Sequence, residues 1–321
     1  MTTLRPGSTI VVAGGAGFIG SHVCDRLLED GYRVVAVDDL STGNAHNISH
    51  RSFDEAFTFV EGDIVADETV KSLEEAAGRQ EVSAVMNFAS PASPPAYLER
   101  PLDTLAVGSA GTWNLINYAI ACDARFFMAS TSEVYGDPLE HPQAETYWGN
   151  VNPIGERSVY DEAKRFSEAL VASHQRSAGL DARIVRIFNT YGPRMQPDDG
   201  RVVTNMVHQS LDGKPLTIYG DGSQTRSFCY VSDEVDGIVR LLQSDVTGPV
   251  NIGNPNEFTI RELANVIADV LEIAPDIEYL PLPSDDPKVR QPDISRAREL
   301  LGWEPQVQLA EGIRRMVQSL R

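Results

Sequence analysis

Thr9-Ile10-Val11-Val12-Ala13-Gly14-Gly15-Ala16-Gly17-Phe18-Ile19-Gly20 runs from an apolar, largely β-branched pentapeptide straight into a glycine-rich turn. The first five residues read as a buried strand. After the turn, Ile19, Val23 and Leu27 recur every four residues and Gly31 supplies a stop, which is the pattern of a helix. Arg33-Val34-Val35-Ala36-Val37 is the next strand, and it closes in Asp38. The stretch is therefore a βαβ unit with glycines in its first turn. Small residues there let the backbone approach a pyrophosphate, and the N–H groups of the helix N-terminus face the anion. The spacing is GxxGxxG, and Asp38 stands 18 residues after Gly20, where a carboxylate can accept from adenosine ribose hydroxyls. A glycine triplet alone is weak; between a strand and a helix, with an acid at the end, it is specific. An acid at Asp38 repels a 2′-phosphate, so the predicted cofactor is NAD rather than NADP.

Outward from that unit the rhythm continues. Phe57–Val60, Ala84–Phe88, Arg125–Ala129 and Ala182–Phe188 read as strands; Thr69–Ala77 and one long stretch, Pro101–Ala121, read as helices. The predicted fold is α/β: a Rossmann-type doubly wound parallel sheet with a smaller α/β substrate lobe interleaved at the C-terminal end. The expected division is 1–187 plus about 226–253 for NAD and about 188–225 plus 254–321 for the second ligand. Further on, Ser227–Val231 reads as one short strand, Ser232 as a helix cap, and Thr259 with Glu262 as a capping box. Trp113, Trp148 and Trp303 read as packing residues.

Composition narrows the partners. With 46 acidic against 27 basic residues the net charge is −19, which argues against nucleic acid and anionic membranes. Cys24, Cys122 and Cys229 are too few and scattered for a disulfide framework, and the six histidines show no ligand spacing, so no metal site is predicted. Met1–Ser8 lacks the apolar run of a signal peptide and no stretch of about 20 apolar residues exists, so a cytoplasmic protein is expected.

Chemistry enters at Ser158-Val159-Tyr160-Asp161-Glu162-Ala163-Lys164. Tyr160 and Lys164 lie four apart, on one face of a helix ended by Gly179. An ammonium beside a phenol favours the phenolate, so the tyrosine's pKa is predicted to fall toward neutrality. Such a phenol can take a proton from a sugar hydroxyl. Alone the pair is as readily a solvated surface feature. It gains weight from Ser130-Thr131-Ser132-Glu133 at the carboxyl end of another strand, a third polar group beside the same site. Arg194, Arg201, Arg226 and Arg290 lie in loops, and four of them in so acidic a chain suggest a diphosphate or carboxylate site.

With these residues assembled, the chain resembles the extended short-chain dehydrogenase/reductase superfamily and, more closely, the UDP-glucuronate decarboxylase (UDP-xylose synthase) family. The likeness runs from about Ile10 to about Val317. Its general marks are GGAGFIG from Gly14, Thr131, and Tyr160 with Lys164. Its specific marks are ASPASPPA (Ala89–Ala96), ASTSEVYGDP (Ala129–Pro138), YWGNVNPIG (Tyr147–Gly155), IFNTYGPRM (Ile187–Met195), DDGRVV (Asp198–Val203), GDGSQTRSF (Gly220–Phe228) and DDPKVRQPDI (Asp285–Ile294).

The resemblance implies that Tyr160 is the base on a sugar 4-hydroxyl and that Lys164 holds the nicotinamide ribose. It implies that Thr131 shares the hydrogen bond to that oxygen, that Ser132 and Glu133 flank the carboxyl-bearing carbon, and that Arg226 meets phosphate or carboxylate. Asn189, Arg201, Tyr219, Gln224 and Arg290 would hold the nucleotide diphosphate. Gly14, Gly17, Phe18, Ile19, Gly20, Asp38, Asp39, Thr42, Gly43, Asp63, Ile64, Ala89, Ser90 and Thr104 would line NAD. The implied reaction oxidises UDP-glucuronate at carbon 4, loses carbon dioxide from the β-keto acid and re-reduces the ketone. The alternative is a sister nucleotide-sugar 4,6-dehydratase or 4-epimerase; dehydratases read Thr-Asp-Glu where this chain has Thr131-Ser132-Glu133. Two positions depart from the family: Gly108 replaces a usual asparagine, and Asp103 a common lysine. A homodimer is implied through the helix of Tyr160 and the one before the Thr131 strand, with Trp113, Leu115 and Ile116 as its apolar face.

Overall fold

All five residues of β1 (Thr9–Ala13) are buried, as a strand covered by helices on both faces requires. The computed structural model describes residues 4–78, 81–281 and 289–320; Asp285–Lys288 of the last sequence motif lie outside the described residues. After β1 come α1 (Phe18–Glu29), β2 (Arg33–Asp38), β3 (Phe57–Glu61), α2 (Asp67–Ala77) and β4 (Val82–Asn87). Helices α3 (Pro94–Glu99), α4 (Pro101–Ala106) and α5 (Thr112–Ala121) lead to β5 (Arg125–Thr131), and α6 (Ser158–Ala178) leads to β6 (Ala182–Ile187). Then follow β7 (Thr190–Tyr191), α7 (Val202–Leu211), β8 (Leu216–Tyr219), β9 (Thr225–Ser227), β10 (Cys229–Tyr230), α8 (Val231–Gln243) and β11 (Pro249–Ile252). The last elements are β12 (Glu257–Thr259), α9 (Ile260–Leu271), β13 (Ile277–Leu280), α10 (Ser295–Leu301) and α11 (Leu309–Ser319).

Seven strands form one sheet in the order β11-β6-β5-β4-β1-β2-β3, and every pairing in it is parallel. The order reverses between β1 and β4, which opens a crevice at their carboxyl ends. Alternate residues face opposite cores: Val11 and Val35 pack with Leu73 of α2, Leu115 of α5 and Val171 of α6, whereas Ile10 and Val12 pack with Val23 of α1 and Ile238 of α8. Three two-stranded ladders, β10-β7, β12-β9 and β13-β8, build the region over the crevice.

Four sequence expectations need correction. The stretch Pro101–Ala121 is interrupted by a π-helical turn, Val107–Gly111, in which the Thr112 hydroxyl donates five residues back to the Val107 carbonyl at 3.2 Å. Ser227–Val231 is not one strand: β9 and β10 break at Phe228 and pair with different partners, β12 and β7. Ser232 does not cap α8, which begins at Val231; the first-turn carboxylate of Asp233 instead accepts from the backbone N–H groups of Gln306 and Val307, each at 2.8 Å. Trp303 is buried, but Trp113 is 48% and Trp148 89% exposed. The Thr259–Glu262 capping box is formed, and Gly179 ends α6 at φ +68°.

Candidate active site

The glycine turn between β1 and α1 is shaped by contact. Gly14 has φ +76°, and a Cβ there would stand 2.7 Å from the Ala89 nitrogen, so only glycine fits. A Cβ on Gly20 would overlap the Gly14 carbonyl oxygen, which brings α1 tight against the turn. The cradle these glycines leave open suits a pyrophosphate. Asp38 closes β2, and its carboxylate accepts from Ala16 N at 3.0 Å and Leu40 N at 2.9 Å. It thereby pins the turn to β2, while burial raises its pKa above the ordinary value.

A cavity of about 720 Å³ opens at the carboxyl end of the sheet. Of the residues expected to line NAD, Gly14, Gly17, Phe18, Ile19, Gly20, Thr42 and Ser90 reach its wall. Asp38, Asp39, Gly43, Asp63, Ile64, Ala89 and Thr104 do not. Gly43 lies against the Asp38 carboxylate, Asp63 accepts from Val65 N at 2.8 Å, and Ile64 packs under Gly111. The Asp39 carboxylate accepts from Ser41 N, and the Thr104 hydroxyl donates back to Arg100 O at 2.8 Å. Tyr160, Lys164, Thr131, Ser132, Glu133, Asn189, Arg201, Tyr219, Gln224, Arg226 and Arg290 all line the cavity.

Tyr160 and Lys164 stand on α6 as their spacing predicts, both buried. The Tyr160 hydroxyl is hydrogen-bonded to Thr131 at the end of β5. Lys164 donates to the Ala129 carbonyl at 3.0 Å, and its nitrogen is 5.8 Å from the Tyr160 ring centroid. The expectation of a phenol drawn toward neutrality by this lysine is wrong for the protein by itself. Burial pushes Tyr160 up to about 12, against the opposing pull of the Arg201 charge and the Thr131 hydrogen bond. Burial also lowers Lys164 to about 8, so part of its charge is lost near neutral pH.

Glu133 is the charged hub. Its Oε2 accepts from Arg157 at 2.8 Å and from Arg290 at 3.2 Å, and Arg290 also donates to the Ser132 carbonyl. The charges of Arg290, Arg157 and Arg226 outweigh burial and hold its carboxyl well below the usual range. Glu133 is therefore an anion at rest. The sequence reading missed Arg157, which lies one residue before α6 and was masked by the more conspicuous arginines expected in loops; of those, Arg226 lies in strand β9, opposite Phe258 of β12, and not in a loop. It also missed Tyr97 of α3, whose ring stacks on Tyr160 at 5.2 Å and 8°. Arg194 turns away from the hub to an ion pair with Asp25 of α1 at 2.6 Å.

The two departures have simple structural settings. Asp103 is 67% exposed, 3.8 Å from Arg100 and off the cavity wall, so it does not oppose an anion there. At Gly108 the π turn presses on α6: a Cβ would lie 2.7 Å from Ala163 Cβ, and the Ser167 hydroxyl donates to the Gly108 carbonyl at 2.7 Å. The apolar face ascribed to Trp113, Leu115 and Ile116 is also different, because Leu115 and Ile116 are fully buried. Among the described residues no acidic, histidine or cysteine group is placed to hold a metal.

A sequence model of the NAD dependent epimerase/dehydratase family matches residues 10–253. UDP-glucuronic acid decarboxylase 1 of Arabidopsis thaliana is 50% identical over 312 residues, covering 97% of this chain and 69% of that protein. Among solved structures, UDP-glucose 4-epimerase from Thermotoga maritima with UDP-glucose superposes at TM-score 0.89 and 29% identity, over 97% of this chain and 98% of that one. UDP-glucuronic acid 4-epimerase from Bacillus cereus, in complex with UDP-glucuronic acid and NAD, gives 0.85 at 27% identity, over 97% and 98%.

Proposed function

The chain belongs to the NAD dependent epimerase/dehydratase family, and from that premise we propose that it converts UDP-glucuronate to UDP-xylose and carbon dioxide. The observation that carries this reading is the guanidinium cluster of Arg157, Arg226 and Arg290 at Glu133, on the same wall as Tyr160 and Thr131. Three guanidiniums and one carboxylate leave a local surplus of positive charge in a chain of net charge −19. That surplus suits an anionic sugar. The likeness to plant UDP-glucuronic acid decarboxylase 1 at 50% identity supports the same substrate.

The glycine cradle and Asp38 fit a dinucleotide, and Gly14, Gly17, Phe18, Ile19 and Gly20 would hold it. NAD, when bound, supplies reversible two-electron oxidation at ring carbon 4 and a cationic ring whose charge favours the Tyr160 phenolate. Tyr160 Oη takes the 4-hydroxyl proton and keeps it until carbon 4 is reduced again. Thr131 and protonated Tyr160 hydrogen-bond the oxygen on carbon 4 and stabilise it as negative charge arrives there. Once carbon 4 is a ketone, the carboxylate on carbon 5 is β to it, and carbon dioxide leaves with the electron pair moving into the carbonyl. Tyr97, stacked on Tyr160, shields the phenol from water. Ser132 bears no acid able to protonate a leaving 6-hydroxyl, which disfavours a dehydratase. Asn189, Arg201, Tyr219 and Gln224 would hold the nucleotide diphosphate.

Residues 1–187 with about 226–253 form the cofactor lobe in this reading, and about 188–225 with 254–321 the sugar-nucleotide lobe. Leu102, Trp113 and Phe166, which are 77%, 48% and 48% exposed on α4, α5 and α6, support pairing of two chains through these helices. Three free cysteines support a reducing cytoplasm. No described helix is long and apolar enough to cross a membrane. The test is incubation of the purified protein with UDP-glucuronate, followed by mass. Product lighter by one carbon dioxide is expected, and Tyr160→Phe should abolish it while still binding NAD. An unchanged mass with an altered sugar configuration would identify a 4-epimerase instead.

A further inference from the structure

Loss of carbon dioxide sets a proton balance, and this step rests on the decarboxylase reading. The proton that Tyr160 takes from the 4-hydroxyl is returned to the same oxygen at the end. When the bond between carbon 5 and the carboxyl carbon breaks, its electron pair passes through carbon 5 to the 4-oxygen. It then comes back to form a new C5–H bond with an incoming proton. That proton comes from water, one per turnover, so the site needs an inlet and a group that can offer a proton near neutral pH.

Beside Glu133 lies a second cavity of about 230 Å³. At roughly 30 Å³ per water it has room for several. Its rim carries Asp137, Asn150 and Asn152, all exposed, and Glu133 and Asp161 line its interior. Glu133 lines both cavities, and so does Arg157, its 2.8 Å ion-pair partner; the pair stands between them. Asp161 is only 6% exposed, and its Oδ1 is buried with no hydrogen-bond partner among the described residues. An orphaned buried carboxyl oxygen in a folded protein calls for an explanation. We propose that Asp161 is the proton relay of this enzyme, passing a proton drawn from solvent in the second cavity through Glu133 to ring carbon 5.

The surrounding charges suit that task. Asp161 faces Glu133 beyond β5, Tyr97 of α3 and Arg290 of the C-terminal loop, with Arg157, Tyr160 and Glu162 from its own helix and the residue before it. Burial and the Glu133 anion push its carboxyl upward, toward neutrality, against the pull of Arg157 and Arg290. Glu133 is pushed the other way, so it hands the proton on as it receives one and never stands protonated at rest. Asp161 touches neither cavity wall nor sugar on the reaction side, and it is a positioning residue for the proton.

Asp161→Asn tests the assignment with UDP-glucuronate. A kcat lower by roughly 100-fold is expected, with KM within about two-fold, because the sugar site is untouched. Bound cofactor should stand reduced at steady state, read by its absorbance, since re-reduction waits for protonation of carbon 5. Wild-type kcat should fall as pH rises through neutrality; Asp161→Asn should lose that limb and Asp161→Glu should restore it in part. Asp161→Asn forfeits no bond at Oδ1 and removes a buried charge, so its Tm should equal or exceed that of wild type. A variant with wild-type kcat and pH profile overturns the relay alone; a wild-type protein that releases no carbon dioxide overturns the decarboxylase reading as well. If the variant does not fold, a wild-type kcat that is flat across neutrality overturns the relay.

Discussion

The contact between the π turn and α6 sets a sharp test at Gly108. Replacing it with alanine puts a Cβ 2.7 Å from Ala163 Cβ and 3.1 Å from the Ala163 carbonyl oxygen. Two carbons need about 3.5 Å, so the elements must part by about 0.8 Å. Neither atom can rotate away: one is a methyl on the helix and the other is backbone. The displaced segment is the one that matters, because Ala163 lies between Tyr160 and Lys164 on α6. The same shift would stretch the Ser167 hydroxyl's 2.7 Å bond to the Gly108 carbonyl to the edge of bonding range. Overpacking and a weakened bond together cost about 2–3 kcal/mol, or a Tm lower by roughly 3–5 °C for a chain of this length. A misplacement of nearly 1 Å at the proton-transfer pair costs about 100-fold in kcat. The assay is turnover of UDP-glucuronate beside thermal melting, for Gly108→Ala and for the double variant with Ala163→Gly. The second change removes the 2.7 Å contact and leaves the milder one to the backbone carbonyl at 3.1 Å, so most of kcat should recover, while stability recovers only in part because glycine inside a helix costs about 1 kcal/mol. Wild-type kcat and Tm in Gly108→Ala, or no recovery in the double variant, would refute the steric account.

Lys164→Met should raise Tm at neutral pH while abolishing turnover. The lysine's folded-state pKa is lowered to about 8 by burial, so its charged form weakens the fold below that value and the penalty is relieved as pH rises toward the unfolded pKa of about 10.4. Wild-type stability should accordingly rise across that window and the variant's should not, as melting in a pH series would show. The proposed pairing of two chains predicts a solution mass of two chains by light scattering, shifted to that of one by Trp113→Glu, which should leave the fold intact since the ring is 48% exposed; a wild-type mass of one chain would refute the pairing, and an unchanged two-chain mass in the variant would refute the part given to α5.

Sequence reasoning went furthest where short-range chemistry decides. The stretch from Thr9 to Asp38 contains its own strand, turn and helix signals, and the structure forms both strands and the helix between them. The spacing of Tyr160 and Lys164 needed only helix geometry. What was not legible depends on closure of distant segments. Arg157 reaches Glu133 across 24 residues, and no local pattern separates it from Arg194, which goes to Asp25 instead. The π turn is set by close packing of Gly108 on Ala163 and Gly111 on Ile64, contacts between separate elements. Trp113 and Leu115 sit two apart on one helix and end on opposite sides of it, one half-exposed and one buried. The Tyr160 phenol rises rather than falls because its burial outweighs the charges around it, and burial is a property of the whole fold.

The directions of four pKa shifts describe one division of labour. Tyr160 and Asp161 are pushed up, Glu133 and Lys164 down, and burial enters all four. Environments that separate neighbouring titratable groups mark out acid and base roles. In the proposed reaction the arginines draw the sugar's carboxylate in, but an interaction equally strong before and during bond breaking gives no rate. The Glu133 anion resolves this, because a carboxylate beside it meets like charge. As carbon dioxide leaves, negative charge moves from that neighbourhood to the oxygen on carbon 4, where Thr131 and Tyr160 donate. The repulsion is thus relieved along the reaction coordinate, and the guanidiniums of Arg157 and Arg290 keep Glu133 ionised so that the repulsion is present at the start. It follows that Glu133→Gln should bind UDP-glucuronate at least as tightly as wild type, measured by calorimetry, while losing turnover. Weaker binding in that variant would mean that Glu133 serves to hold the substrate, and the electrostatic argument would fall.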